Sequence, residues 1–154
     1  MIRAAFLTLG LAVSFASPLA AQVLNDCDWQ ASVRNLVEPW AENTRTFAKG
    51  AVRVALLDTV EPAAGAFHLL VLSPPLNELG ERQCRTVSFA GGIGYAGMDF
   101  SALGAEYVQG RGLVLTLPAM IYSPEEGFAN SAMLDITINQ ATGQIDVSQE
   151  LGRE

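Results

Sequence analysis

Apolar and polar positions alternate most regularly near the end of the chain. Leu134, Ile136 and Ile138 alternate with Asp135, Thr137 and Asn139, and the pattern resumes after Gly143 with Ile145 and Val147 against Asp146 and Ser148. A period of two with one apolar face marks a half-buried strand, so this stretch predicts a hairpin. A loop of Gln140, Ala141, Thr142 and Gly143 sets Ile138 opposite Ile145 and Ile136 opposite Val147. A three-residue loop would set Ile138 against Asp146, so the hydrophobic register selects the former. Gly143 can supply the left-handed backbone that such a turn needs. Residues 150–154 read as a frayed tail.

Two earlier runs, residues 52–57 and 67–72, are apolar on both faces. Val52, Val54 and Leu56 share one side while Ala55 and Leu57 occupy the other, and Phe67, Leu69 and Val71 stand against Leu70 and Leu72. Strands that need cover on both sides lie inside a sheet, and the intervening Asp58, Glu61, Pro62 and Gly65 favour a turn. Pro74 and Pro75 are expected to end the second of these strands. Residues 76–83 read as a charged connection, and residues 85–90 as a strand with Val87 and Phe89 turned inward. Residues 98–108 fit either a helical turn or an edge strand. Residues 113–122 form a further strand, in which Pro118 removes an amide donor and so suggests an edge, a bulge or the strand's end. Residues 123–131 read as a polar loop.

The one helical pattern comes early. Trp29, Val33, Leu36, Val37 and Trp40 recur at helical spacing behind Asp26 or Asp28 as a cap, and Pro39 ends the run. Its stripe is expected to cover one face of the central strands, the two tryptophans packing inward and not forming a ligand clamp. The resulting expectation is a mainly β fold: an antiparallel sandwich or partly closed barrel of about seven strands with one short N-terminal helix. The alternative is α+β, with one curved antiparallel sheet packed on that helix.

The first residues alter the picture. Arg3, an apolar run over residues 4–15, and a small-residue end at Ser17, Pro18, Ala20 and Ala21 have the layout of a secretory signal peptide. The run falls short of the ~20 apolar residues that a spanning helix needs. We therefore expect residues 1–21 to be a cleaved signal peptide and residues 22–154 a single exported β-rich domain, periplasmic or secreted, with no stable membrane anchor after cleavage. Asn25 and Asp26 are unsuitable neighbours for lipid attachment at Cys27. Export gives the two cysteines a meaning. Cys27 and Cys84 are expected to form a structural disulfide, worth about 4 kcal/mol in the chain-entropy model.

Charge excludes some partners. Loss of Arg3 would take the formal net charge of −7 to −8, a surface that repels phosphate backbones and anionic headgroups. Nucleic acid is therefore not an expected partner. Gly92, Gly94 and Gly97 match a dinucleotide-binding spacing, but no βαβ unit surrounds them and no acidic residue stands near position 115, so a glycine-rich bend is the better account. No cofactor is expected, and with one histidine no histidine-rich metal site either.

Two functions remain open. The first is a non-catalytic binding or interaction module, with Tyr95 and Phe100 as candidate contacts to a small apolar ligand or another envelope protein. The second is a small periplasmic hydrolase using His68, the only histidine, with a nearby carboxylate such as Asp58 or Glu61. No G-x-S-x-G nucleophile elbow occurs.

Overall fold

The two doubly apolar runs form the middle of a sheet, as their pattern requires. The computed structural model describes residues 23–152; the expected signal peptide, residues 1–21, lies outside the described residues. In the first sheet, β1 (Val23–Asp26), β2 (Thr44–Phe47), β3 (Val52–Asp58), β4 (Phe67–Leu76) and β5 (Arg82–Ser88) lie in the order β1-β5-β4-β3-β2. All neighbours run antiparallel. β4 is central, and continues through Pro74 and Pro75 to Leu76 with a register shift between Ser73 and Leu76. An irregular ladder is where a strand can carry prolines that donate no amide hydrogen.

The second sheet contains β6 (Gly97–Met98), β7 (Gly104–Val108), β8 (Gly112–Ser123), β9 (Phe128–Ile138) and β10 (Ile145–Leu151). Its order is β10-β9-β8, with β6 and β7 both pairing the far side of β8, again antiparallel. One core joins the sheets. Val54, Leu69, Val71 and Val87 from the first pack into one buried cluster with Leu115, Leu117, Leu134 and Ile136 from the second. Each such fully buried aliphatic side chain contributes roughly 1.5–3 kcal/mol of transfer free energy. The architecture is thus a two-sheet sandwich with no closed barrel, and the single curved sheet on a helix is excluded.

The C-terminal hairpin has the expected register, Ile138 opposite Ile145 and Ile136 opposite Val147, with Gly143 at φ 81°. Several boundaries differ. β10 runs on to Leu151, so Glu150 and Leu151 of the expected frayed tail are paired. The expected polar loop at residues 123–131 shrinks to a tight turn, because β9 begins at Phe128, opposite Ser123. Pro118 lies inside β8, opposite Met133 on β9. On its other side β6 and β7 are interrupted by the turn Phe100–Ala102, and the Pro118 carbonyl accepts from Asp99 N–H. The missing amide therefore falls where the neighbouring strand is broken.

The N-terminal helix is not formed. Residues Trp29–Ala31 and Val33–Asn35 are separate 3-10 turns with the extended Ser32 between them. Asn35 Nδ2 donates to the carbonyls of Trp29 and Gln30 at 3.3 and 3.0 Å, capturing acceptors that a continuing α-helix would need. No helix of α type occurs among the described residues, and the strands number ten rather than about seven. The additional ones, β1, β2 and β6, are edge strands too short to display a period, while β7 takes up the edge-strand alternative for residues 98–108.

Candidate functional site

The central hairpin places His68 on the outer face of the first sheet, away from the shared core. Leu57 is its partner on β3 and Ser88 lies beside it on β5. His68 and Ser88 are both buried, and His68 Nδ1 lies 2.8 Å from Ser88 Oγ. Burial holds the imidazole below its ordinary pKa, and the charge of Asp58 opposes that only in part. Asp58 itself pairs with Phe67, on the opposite face from His68, and its Oδ1 accepts from Val60 N–H at 2.7 Å. Glu61 is exposed in the turn that follows. No carboxylate hydrogen-bonds His68 among the described residues. The structure therefore brings His68 together with a buried hydroxyl and not with Asp58 or Glu61.

The cover over this face comes from the segment that was expected to be helical. Cys27 is joined to Cys84 of β5 by the disulfide, with 5.4 Å between the Cα atoms, and Leu36 bridges Leu57 of β3. Between these anchors the chain crosses β4 as a strap over Leu57, His68, Thr86 and Ser88, all buried. Its Trp29 and Val33 point away, 59% and 70% exposed. A disulfide of this kind forms and persists in an oxidising compartment. Among the described residues no helix is long and apolar enough to cross a membrane.

Tyr95 and Phe100 are core residues. Tyr95 is fully buried against Phe89, its hydroxyl 3.4 Å from Gln149 Oε1, and burial pushes its pKa well above the ordinary phenol value. Phe100 is buried beneath the Arg45 guanidinium, 5.4 Å from the ring centroid. Both hold the bend between the sheets and offer no open surface.

The principal concavity lies elsewhere, on the outer face of the second sheet. A groove of about 750 Å³ is lined by Met98, Pro118, Met120, Met133, Glu150 and Leu151, among others. The ladder register builds it in two rows. Pro118, Met133 and Glu150 stand abreast on β8, β9 and β10, and Gly97, Met120 and Ser131 stand abreast on β6, β8 and β9. Gly97 lies against the Met120 side chain, whose Cε is 3.5 Å from where a Cβ would be, an ordinary van der Waals contact. Met120 and Met133 are 44% and 41% exposed, and the outward residues farther along the same strands are Val114, Thr116, Asp135 and Thr137. Asp99 closes one side, its carboxyl held below the usual carboxylate range by hydrogen bonding from Ser101 and Ala102.

A sequence signal for this groove exists. The alternation that turns Leu134 inward turns Met133 outward, and the same parity argument applied to Leu117 and Ala119 turns out Pro118 and Met120. No metal-binding group of histidine, cysteine or carboxylate residues occurs among the described residues. No family model matches the chain, and no curated protein or solved structure matches it either.

Proposed function

We propose that the protein is an exported, non-catalytic binding module whose ligand surface is the groove between β6, β8, β9 and β10. The observation that carries this is the placement of Pro118, Met120, Met133 and Leu151 around a cavity of ligand size. Methionine is unbranched and polarisable, so a surface built from it adapts to ligand shape better than one built from β-branched residues. The ligand is small and apolar where it meets the protein. Export rests on the layout of residues 1–21 and on the disulfide, which suits the periplasm or the extracellular space.

The test uses Nile red, an uncharged apolar probe, with the disulfide-intact protein. Saturable fluorescence enhancement that is weakened by Met133→Lys is expected. No saturable uptake, or uptake indifferent to that substitution, would place the binding surface elsewhere.

A further inference from the structure

The groove has a chemical peculiarity that apolarity does not explain. The chain contains four methionines, and apart from Met1 all of them line this one cavity. Elsewhere the aliphatic positions of both sheets are filled by leucine, isoleucine, valine and alanine. Methionine differs from leucine in carrying a thioether sulfur, the softest neutral donor among the side chains, and soft donors select copper(I) over hard cations. Met98 packs against the core, so the outward thioethers are those of Met120 and Met133.

These two residues are placed to act together. Met133 is directly opposite Pro118, and Met120 lies two residues farther along β8, so they are diagonal neighbours on one face. Such neighbours sit about 7–8 Å apart, within reach of long side chains. Glu150, the cross-strand partner of Met133 on β10, is exposed and adds a carboxylate to the same row. Asp99 at the groove's side and the formal net charge of −7 both favour a cation there. Competing soft ligands are removed, since the described residues contain no free cysteine and the only histidine is buried under the strap.

We infer that the groove holds a soft monovalent cation, copper(I) or its analogue silver(I), between the thioethers of Met120 and Met133 with the Glu150 carboxylate beside them. This rests on the groove being a binding surface, and adds to the apolar ligand a second class of occupant for which sulfur is the donor. Binding involves no electron transfer: the cation replaces water with thioether sulfur and leaves the disulfide untouched.

The experiment titrates the disulfide-intact protein with silver nitrate in chloride-free buffer, following methionine ¹³C-methyl resonances and the mass of the complex under native conditions. The expected result is a single-cation complex in which the Met120 and Met133 methyl signals shift together. The nearly isosteric double variant Met120→Leu/Met133→Leu should lose affinity by about tenfold or more, its melting temperature reporting that it is folded. Equal affinity in the double variant, or methyl signals that stay in place, would overturn the inference. Nile red separates the two ideas: silver failing while the wild-type protein takes up the dye sinks the soft-cation site alone, whereas failure of both sinks the groove as well.

Discussion

His68 and Ser88 form a buried polar pair, Nδ1 to Oγ 2.8 Å, on the face of the first sheet that the disulfide-anchored strap covers. Removing one partner strands the other. Ser88→Ala is expected to destabilise the fold by about 1–3 kcal/mol, the desolvation penalty of an unpaired buried group. Urea unfolding checks this, and a change within ~0.5 kcal/mol would mean that the pair contributes nothing.

The same histidine gives stability a pH dependence of definite sign. Its folded-state pKa is lowered from 6.5, chiefly by burial, so between the folded and unfolded values the unfolded chain binds the extra proton. The contribution is fully present above the unfolded value and is lost as pH falls from there through the folded one. Melting temperatures measured from pH 7.5 down to pH 5 should therefore decline more steeply for the wild type than for His68→Gln. Parallel profiles would show that His68 is not the group responsible.

The Cys27–Cys84 disulfide closes a separation of 57 residues and pins the start of the strap to β5. In the chain-entropy model its loss costs about 4 kcal/mol. The double variant Cys27→Ser/Cys84→Ser is expected to show a lower denaturant midpoint together with a higher m-value, because the unfolded chain is no longer held compact by the cross-link. Amide exchange should rise first in residues 27–36, before the core strands of either sheet, because the strap's start is then held only through the short β1–β5 ladder. Uniform exchange would mean that the strap is held by other contacts.

Most of the sheet was legible because its strands are long enough to display a period. Residues 52–57, 67–72 and 134–148 announced their pairing and even the hairpin register, since a one-residue slip would have exchanged Ile145 for Asp146 in the core. The short edge strands carried no such information: Gly97–Met98 has no period, and Thr44–Phe47 sits in a polar stretch. The helical stripe failed for a different reason. Spacing records which residues are apolar, but the Asn35 side chain competes for the backbone carbonyls, and Trp29 and Val33 end in solvent. Tyr95 and Phe100 are aromatic residues in and after a glycine-rich loop, a pattern that resembles a binding tip. Such a loop can equally fold inward, and this one does. The methionines of the groove form no spacing motif of the kind that histidine, cysteine and carboxylate ligands leave in a sequence, although strand parity turns Met120 and Met133 outward.

The altered account of the strap is directly testable. Val33, on the expected helical stripe, is 70% exposed, while Leu57 beneath the strap is 1% exposed. Val33→Ser should change stability by no more than ~0.5 kcal/mol, whereas Leu57→Ala should cost about 2–5 kcal/mol. A large effect at Val33 would restore the buried helix.

Two glycines flanking Arg111 separate backbone freedom from lack of space. Gly110 and Gly112 both have positive φ, 80° and 114°. A Cβ on Gly110 would meet open space, so Gly110→Ala carries the conformational penalty, about 1 kcal/mol. A Cβ on Gly112 would collide with the carbonyl oxygen of Ile138, a backbone group that β8 and β9 hold in place. Gly112→Ala must therefore add steric displacement of the ladder to the same conformational penalty, and should unfold at clearly lower urea than Gly110→Ala. Equal midpoints for the two variants would mean that the start of β8 yields freely, and that the pairing of Leu113 with Ile138 does not fix the edge of the second sheet.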